Sequence, residues 1–408
     1  MPWEEPAPRA TCGAGDMPEG ELQGEGIENV RCNLTVHGQV QVPHFLSLAW
    51  HENCAYVNST DATSVVDVSD SSAPTVVTKL TTTGMQNNWE SMKVHEGRGL
   101  LAGYQADGTV VDLYDVSADC KAPVFQSSLN VGGIGHSGNF SEDGSVYYAS
   151  SLYSGEVFAI DVMDPAQPRL ITSKFFDTAG NSIGSHDLSI GKNGTRGYFT
   201  FPSLINAFNG TLAIVDLTSV KERADAAEGR SVKDFEWQDG AASQYPIPIT
   251  YRGADHLVVT DELGSGACGN PAKPHFGYAH IFDLRDEQMP RLVSQVKTAA
   301  QDAANCEAAT RSAGTFFGVG THYCNVDRRD DPRLLSCGLW SGGVRVFDIR
   351  NPWRPREIAY FDTAGTDDMV PGLQRILVDK RELWVASTAG TFYVLKFADG
   401  VIDEMIPQ

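Results

Sequence analysis

The chain has 408 residues, a hydrophobic share of 41% and a formal net charge of −21. That apolar share is ordinary for a globular chain and supplies a large core, while the acidic surface repels nucleic acid and anionic lipid. No apolar run reaches the roughly 18 residues that a membrane span needs, so neither nucleic acid nor a spanning segment is expected.

Residues 1–33 read as an irregular arm, rich in Pro, Gly and Glu and without a period of 2 or 3.6. The opening MPWEEPAPRA lacks the basic n-region and apolar core of a signal peptide. Cys12 and Cys32 flank this arm, which has little core of its own, and are expected to pair. From residue 34 to 408 the chain reads as one domain. LTVHGQVQV (34–42) alternates like a strand yet precedes the first repeat. The last repeat stops after its third strand, TFYVLKF (391–397). Strand 34–42 is therefore predicted to complete that repeat and remove an exposed sheet edge.

Seven stretches between these ends share a pattern: a leading residue, then alternating apolar positions. They start at His44, Glu90, His136, His186, Tyr245, His322 and Gln374, at intervals of 46, 46, 50, 59, 77 and 52 residues. That is the period of a four-stranded propeller blade, and the fold class is predicted as all-β, a seven-bladed β-propeller. First strands lead into tight turns such as EDG (142–144) and KNG (192–194). Third strands alternate Val, Ile and Phe and end on Asp67, Asp112, Asp161, Asp216, Asp283 and Asp348. Their regular recurrence assigns them to turn capping, not to metal or catalysis. Pro74, Pro123, Pro168, Pro290 and Pro355 then start the outer strands. Two insertions, 219–242 and 285–320, each precede a leading residue. They are expected to arch over the leading residues and shape a pocket, or else to decorate the surface.

The third strands, IVDL and VFDI among them, resemble the LVIVD repeat of β-propeller proteins. The resemblance covers about residues 34–397 and is most marked over 321–361, THYCN…SGGVRVFDIRNPWRPREIAYF. It implies a seven-bladed propeller and says little about a reaction, because fold is not function.

In a propeller the seven leading residues gather near one mouth of the central channel. The chain has 10 histidines, so four at seven matched positions exceed chance. His44, His136, His186 and His322 are the predicted ligands of one transition-metal ion, Cu, Fe or Zn, all of which favour imidazole. Glu90 is expected to complete the ligand set, orient a histidine, or act with Tyr245 as general acid/base. Gln374 is the expected hydrogen-bonding contact to substrate. His37, His51, His95, His256, His275 and His280 share no phase and are assigned structural roles. No GxSxG, HExxH or Walker motif is present, and the GSGACGN loop (264–270) lacks the helix and K-S/T of a phosphate cradle.

Sequons stand at Asn33, Asn58, Asn139, Asn193 and Asn209, with Asn139 expected to be unusable inside a strand and Asn193 exposed in its turn. Cys268 and Cys306, both in long loops, form a second expected pair, whereas Cys54, Cys324 and Cys337 read as buried thiols. Sequons and loop cysteines together point to a secreted glycoprotein. The leading expectation is a secreted, metal-dependent enzyme, a monomer or weak oligomer, acting on a small organic molecule. Redox chemistry is preferred over a zinc-type lyase or hydrolase. The rival from another class is a non-enzymatic extracellular binding scaffold.

Overall fold

The chain folds as a seven-bladed β-propeller whose regular structure is almost entirely seven small sheets. The computed structural model describes residues 5–19, 30–43, 46–151, 155–201, 209–237, 240, 242–263, 277–302, 305, 319–362, 370 and 372–406. His44, His275, Cys268, Cys306 and the GSGACGN loop lie outside them. By chain contacts the blades form two compact units. One holds blades one to four (40–202 and 211–236). The other holds blades five to seven with the arm (1–39, 203–210 and 237–408).

Within a blade, hairpin follows hairpin. Blade three runs Ser137–Phe140, Val146–Ser151, Glu156–Asp161 and Arg169–Thr172, each pairing antiparallel with the next. Alternation puts one set of side chains on each face, and both faces are buried because blades stack on blades. Leu113 and Tyr104 of blade two meet Phe140, Tyr147 and Ile160 of blade three in one core. Leu334 and Val346 of blade six meet Leu383 and Leu395 of blade seven in another. Each such side chain contributes roughly 1.5–3 kcal/mol by leaving water. The outer strands begin directly after the predicted prolines, at Thr75, Val124, Arg169, Arg291 and Arg356.

The closing strand is as expected. Leu34–Gln41 is the outer member of the last sheet, beside Thr391–Phe397, Glu382–Ser387 and Arg375–Leu377. The arm is tied to blade six: Arg31–Cys32 adds a fifth strand along Arg356–Phe361, and Cys12 and Cys32 form the expected disulfide. Arg345, 1% exposed, holds Glu19 of the arm at 2.8 Å and Glu357 at 3.3 Å. Burial raises the Glu19 carboxyl, but the charge and hydrogen bonds of Arg345 outweigh it and leave the group below its ordinary value.

Four expectations are corrected. Cys54 and Cys120 are joined, as are Cys324 and Cys337, so the cysteines read as thiols are disulfides. The second pair follows from register, because Cys324 and Cys337 stand directly opposite each other on neighbouring strands. In the sequence VVDLYD the capping residue is Asp115, not Asp112. Asp115 pairs with Leu100, the first residue of its neighbouring strand, as Asp67 does with Cys54. Its Oδ1 accepts the Ser117 N–H at 2.8 Å, whereas Asp112 turns inward to accept the Gly84 N–H at 2.7 Å. The other predicted aspartates do cap: Asp67, Asp161, Asp216, Asp283 and Asp348 each accept the N–H two residues on. The stretch 219–242 is no arch, since Gly229–Trp237 is the fourth strand of blade four, between Gly210–Asp216 and the short outermost strand Phe175–Phe176. Likewise 285–320 contains the outer strand of blade five, Arg291–Val296. Lastly, the first strand of blade one is Leu48–His51, later than the run after His44, and that of blade two is Lys93–His95.

Burial sorts the sequons. The Asn33 amide donates to the carbonyls of Thr11 at 3.0 Å and Ile358 at 2.8 Å. Asn58 is fully buried, accepting from the N–H groups of Leu46 and Ser47. Asn139 donates to the Leu188 carbonyl at 3.2 Å. Asn193 is exposed in its turn and Asn209 is half-buried.

Candidate metal centre

The described leading residues sit within, or just ahead of, the inner strands of their blades. Backbone bonds set their positions. The His136 N–H donates to the Ser150 carbonyl at 3.0 Å and the His186 N–H to the Thr200 carbonyl at 2.8 Å. Both histidines thus hang from the same point of a hairpin, one blade apart. The residues after them lock the two blades together: Ser137 donates to the Asp187 carboxylate, which also accepts the Leu188 N–H at 2.6 Å. Asp187 is fully buried at this junction.

Glu90 arrives from blade two on a tightly held turn. The Ser91 hydroxyl donates to the Asn88 carbonyl at 2.6 Å, and Tyr147 donates to the Ser91 carbonyl at 2.6 Å. Burial pushes the Tyr147 phenol well above its ordinary value, so it remains a donor. Lys93 donates to the Glu90 carbonyl, and the Glu90 backbone bridges that of Ser137. Trp89, next in line, has φ of 38°, a conformation that bulky side chains avoid. Such strain persists only where its surroundings over-determine it, and it concentrates at functional sites. Here the Trp89 indole donates to the Asn87 side chain at 2.8 Å and packs edge-on to His136 at 5.4 Å.

The outcome is a buried cluster of three donors. Glu90, His136 and His186 are 3%, 4% and 3% exposed. Glu90 Oε2 is 3.0 Å from His136 Nε2, and the two imidazoles stack with centroids 5.0 Å apart. One ligand atom from each residue lies within 4.8 Å of the others. Two donors on one ion, each at about 2.0–2.2 Å, stand roughly 3–4 Å apart, so small side-chain adjustments bring all three onto a common centre. The donor set itself, two nitrogens and a carboxylate, suits a transition metal and not a hard alkaline-earth ion.

His322, Tyr245 and Gln374 belong to the unit of blades five to seven. His322 is fully buried, its Nε2 3.6 Å from Glu262 Oε1, with the Trp340 ring at 4.6 Å and the Tyr323 ring at 4.8 Å. Tyr245 is buried against Tyr323 at 4.8 Å. Gln374 donates from Nε2 to the carbonyls of Tyr323, at 3.1 Å, and Gly372, leaving only its oxygen for a ligand. His44 falls outside the described residues. Trp89, Asp187, Glu262 and Trp340 were not singled out from the sequence. Glu262 merely follows the end of a strand, and nothing periodic marks it.

No family model matches the chain, and no curated protein matches its sequence. Its fold does match solved structures. A hypothetical selenium-binding protein from Sulfolobus tokodaii is similar over 82% of each chain, with a TM-score of 0.59 and 12% identity. Kuenenia stuttgartiensis hydrazine synthase is similar over 93% of this chain and 99% of its own, with a TM-score of 0.59 and 12% identity. A chain of the mitotic checkpoint complex gives a TM-score of 0.57 and 13% identity over 95% of this chain and 100% of its own. At these identities the likeness establishes the propeller fold and leaves the chemistry to the site.

Proposed function

We propose that this protein is a secreted metal-dependent enzyme in which Glu90, His136 and His186 hold one transition-metal ion that acts on a small organic substrate. The observation that carries this reading is the convergence of three buried donor groups from three successive blades within 4.8 Å. Two histidines and one carboxylate are the set used by non-haem iron oxygenases and also by zinc hydrolases. A bound iron or copper would supply electron transfer, and zinc would supply Lewis acidity. Redox chemistry is the preferred form, and the zinc-type lyase or hydrolase rests on the same three residues.

The chain's own contribution is placement and exclusion. Glu90 Oε2 and His136 Nε2, 3.0 Å apart, are spaced as two donors to one ion, and Glu90 brings the carboxylate charge to the set. Trp89 and the stacked imidazoles shield the cluster from bulk water, which strengthens every charge interaction within it. Three disulfides among the described residues support an oxidising, extracellular setting. The LVIVD-repeat resemblance fits the same picture without adding a reaction.

Elemental analysis of purified protein with an EPR spectrum tests the proposal. About one equivalent of iron or copper per chain, lost in His136→Ala and His186→Ala, is the expected result. One equivalent of spectroscopically silent zinc replaces the redox form by the hydrolytic one. No metal uptake under any loading condition overturns the enzyme reading and leaves the binding scaffold.

A further inference from the structure

Where the outer parts of blades five and six meet, a cleft of about 650 Å³ opens, within the range of roughly 300–1,000 Å³ of small-ligand sites. Its walls include Arg252, Arg285 and Arg350 together with Asp331, Asn351 and Trp353. None of these residues belongs to the repeat pattern that marked the metal centre.

Trp353 is exposed, and the turn that carries it is held in place. Trp353 is 52% exposed and stands on a turn in which Asn351 Oδ1 accepts the Trp353 N–H at 3.1 Å and the Asn351 carbonyl accepts from Arg354 at 3.0 Å. The Pro352 carbonyl of that turn accepts the Ser294 hydroxyl at 2.7 Å, anchoring it to blade five. A half-exposed indole on an anchored turn offers a flat, electron-rich face at a polar cleft, and with two side-chain torsions it loses little entropy when a ligand covers it.

The three cations are not equivalent. Arg285 is clamped to Asp283 at 2.6 and 2.9 Å, and Arg350 to Asp348 at 2.8 and 3.1 Å. Their charges are compensated, leaving spare N–H groups as oriented hydrogen-bond donors. Arg252 is exposed and its side chain makes no ion pair among the described residues. Only its backbone is engaged, donating to Asp331 Oδ1 at 2.7 Å. The cleft therefore presents one uncompensated guanidinium, a stacking face, and a mixed set of donors and acceptors.

We infer that this cleft binds a sugar residue bearing a single carboxylate, of the uronic or sialic acid class. Arg252 takes the carboxylate in a forked pair. Trp353 covers the C–H face of the pyranose ring, whose polarised hydrogens meet the negative face of the indole. Asp331 and Asn351 accept from the hydroxyls, and Arg285 and Arg350 donate to them. A polyanion is disfavoured, because the cleft's one free cation among the described residues cannot offset the repulsion of a chain of net charge −21.

NMR titrations of the intact protein with D-glucuronate, N-acetylneuraminate, D-glucose and acetate test this. At least one acid sugar is expected to bind ~10-fold or more tightly than both glucose and acetate. Arg252→Gln should abolish the preference over glucose, and Trp353→Ala should weaken acid-sugar binding ~5-fold or more. Both positions are exposed, and an unchanged Tm confirms that the fold is kept. Acetate binding as tightly as the acid sugars, no binding of either acid sugar, or binding indifferent to both substitutions would each overturn the proposal.

Discussion

Two buried histidine–carboxylate pairs in this molecule look alike and differ in consequence. His136 meets Glu90 at 3.0 Å in the unit of blades one to four, and His280 meets Asp261 at 3.2 Å in the unit of blades five to seven. All four side chains are at most 4% exposed. Beside His136 stands a second imidazole, His186. Around His280 stand Trp237, Tyr278 and Phe282, with centroids 5.6, 4.9 and 6.0 Å away. Asp261 also accepts the Ser243 hydroxyl at 3.1 Å. Among the described residues this aromatic box adds no second imidazole or carboxylate, so the second pair is part of the blade's packing. A His–carboxylate contact is thus no site in itself, and the third donor makes the difference.

That contrast can be broken by substitution. The largest effect is expected at His280→Ala, which leaves the buried Asp261 carboxyl with the Ser243 hydroxyl but without its imidazole. Stability should fall by about 3–5 kcal/mol, measured by urea unfolding, with metal stoichiometry unchanged. His186→Ala should do the converse. Metal affinity in chelator competition should drop by more than about a hundredfold, beyond the range of lost outer partners, while the Tm shifts little. If the two variants gave the same pattern, the distinction between packing pair and metal centre would be wrong. Glu90→Gln keeps the size and leaves a weaker, uncharged donor, so metal affinity is expected to fall by less than in His186→Ala but by more than about tenfold.

A smaller effect sharpens the comparison by pairing a carboxylate with cations instead of imidazole. Asp161 is held by Arg223 at 2.9 Å and Arg169 at 3.0 Å. Burial alone would raise its carboxyl, but the Arg223 hydrogen bond, the Met163 N–H and Arg169 bring it from 3.8 down to about 2. The stabilisation is therefore fully present above pH 3.8 and is lost as pH falls through about 2. Asp161→Asn should cost about 1–2 kcal/mol at neutral pH, and that cost should vanish across this acid window in parallel denaturation curves.

Much of the molecule was legible because its signals are local and repeated. Blade length, strand alternation and the closing strand 34–42 follow from periods that the chain states seven times over. His136, His186 and Glu90 stood out for the same reason, since equivalent positions in successive blades are neighbours in the fold. The partner of Cys54 was not legible: Cys120 lies 66 residues away, and only the packing of blade two against blade one brings the sulfurs together. Nor was the choice between Asp112 and Asp115, which one strand register decides.

The amino-acid sequence by itself thus determined the number of blades, the strand that joins the two ends, and which histidines share a phase. Tertiary structure alone decided which carboxylate faces which imidazole, how Trp89 is bent to wall the cluster, and where Arg252 and Trp353 share a cleft. The physical reason is range. Periodicity is written residue by residue, whereas a contact between side chains far apart in sequence depends on how whole sheets settle against one another.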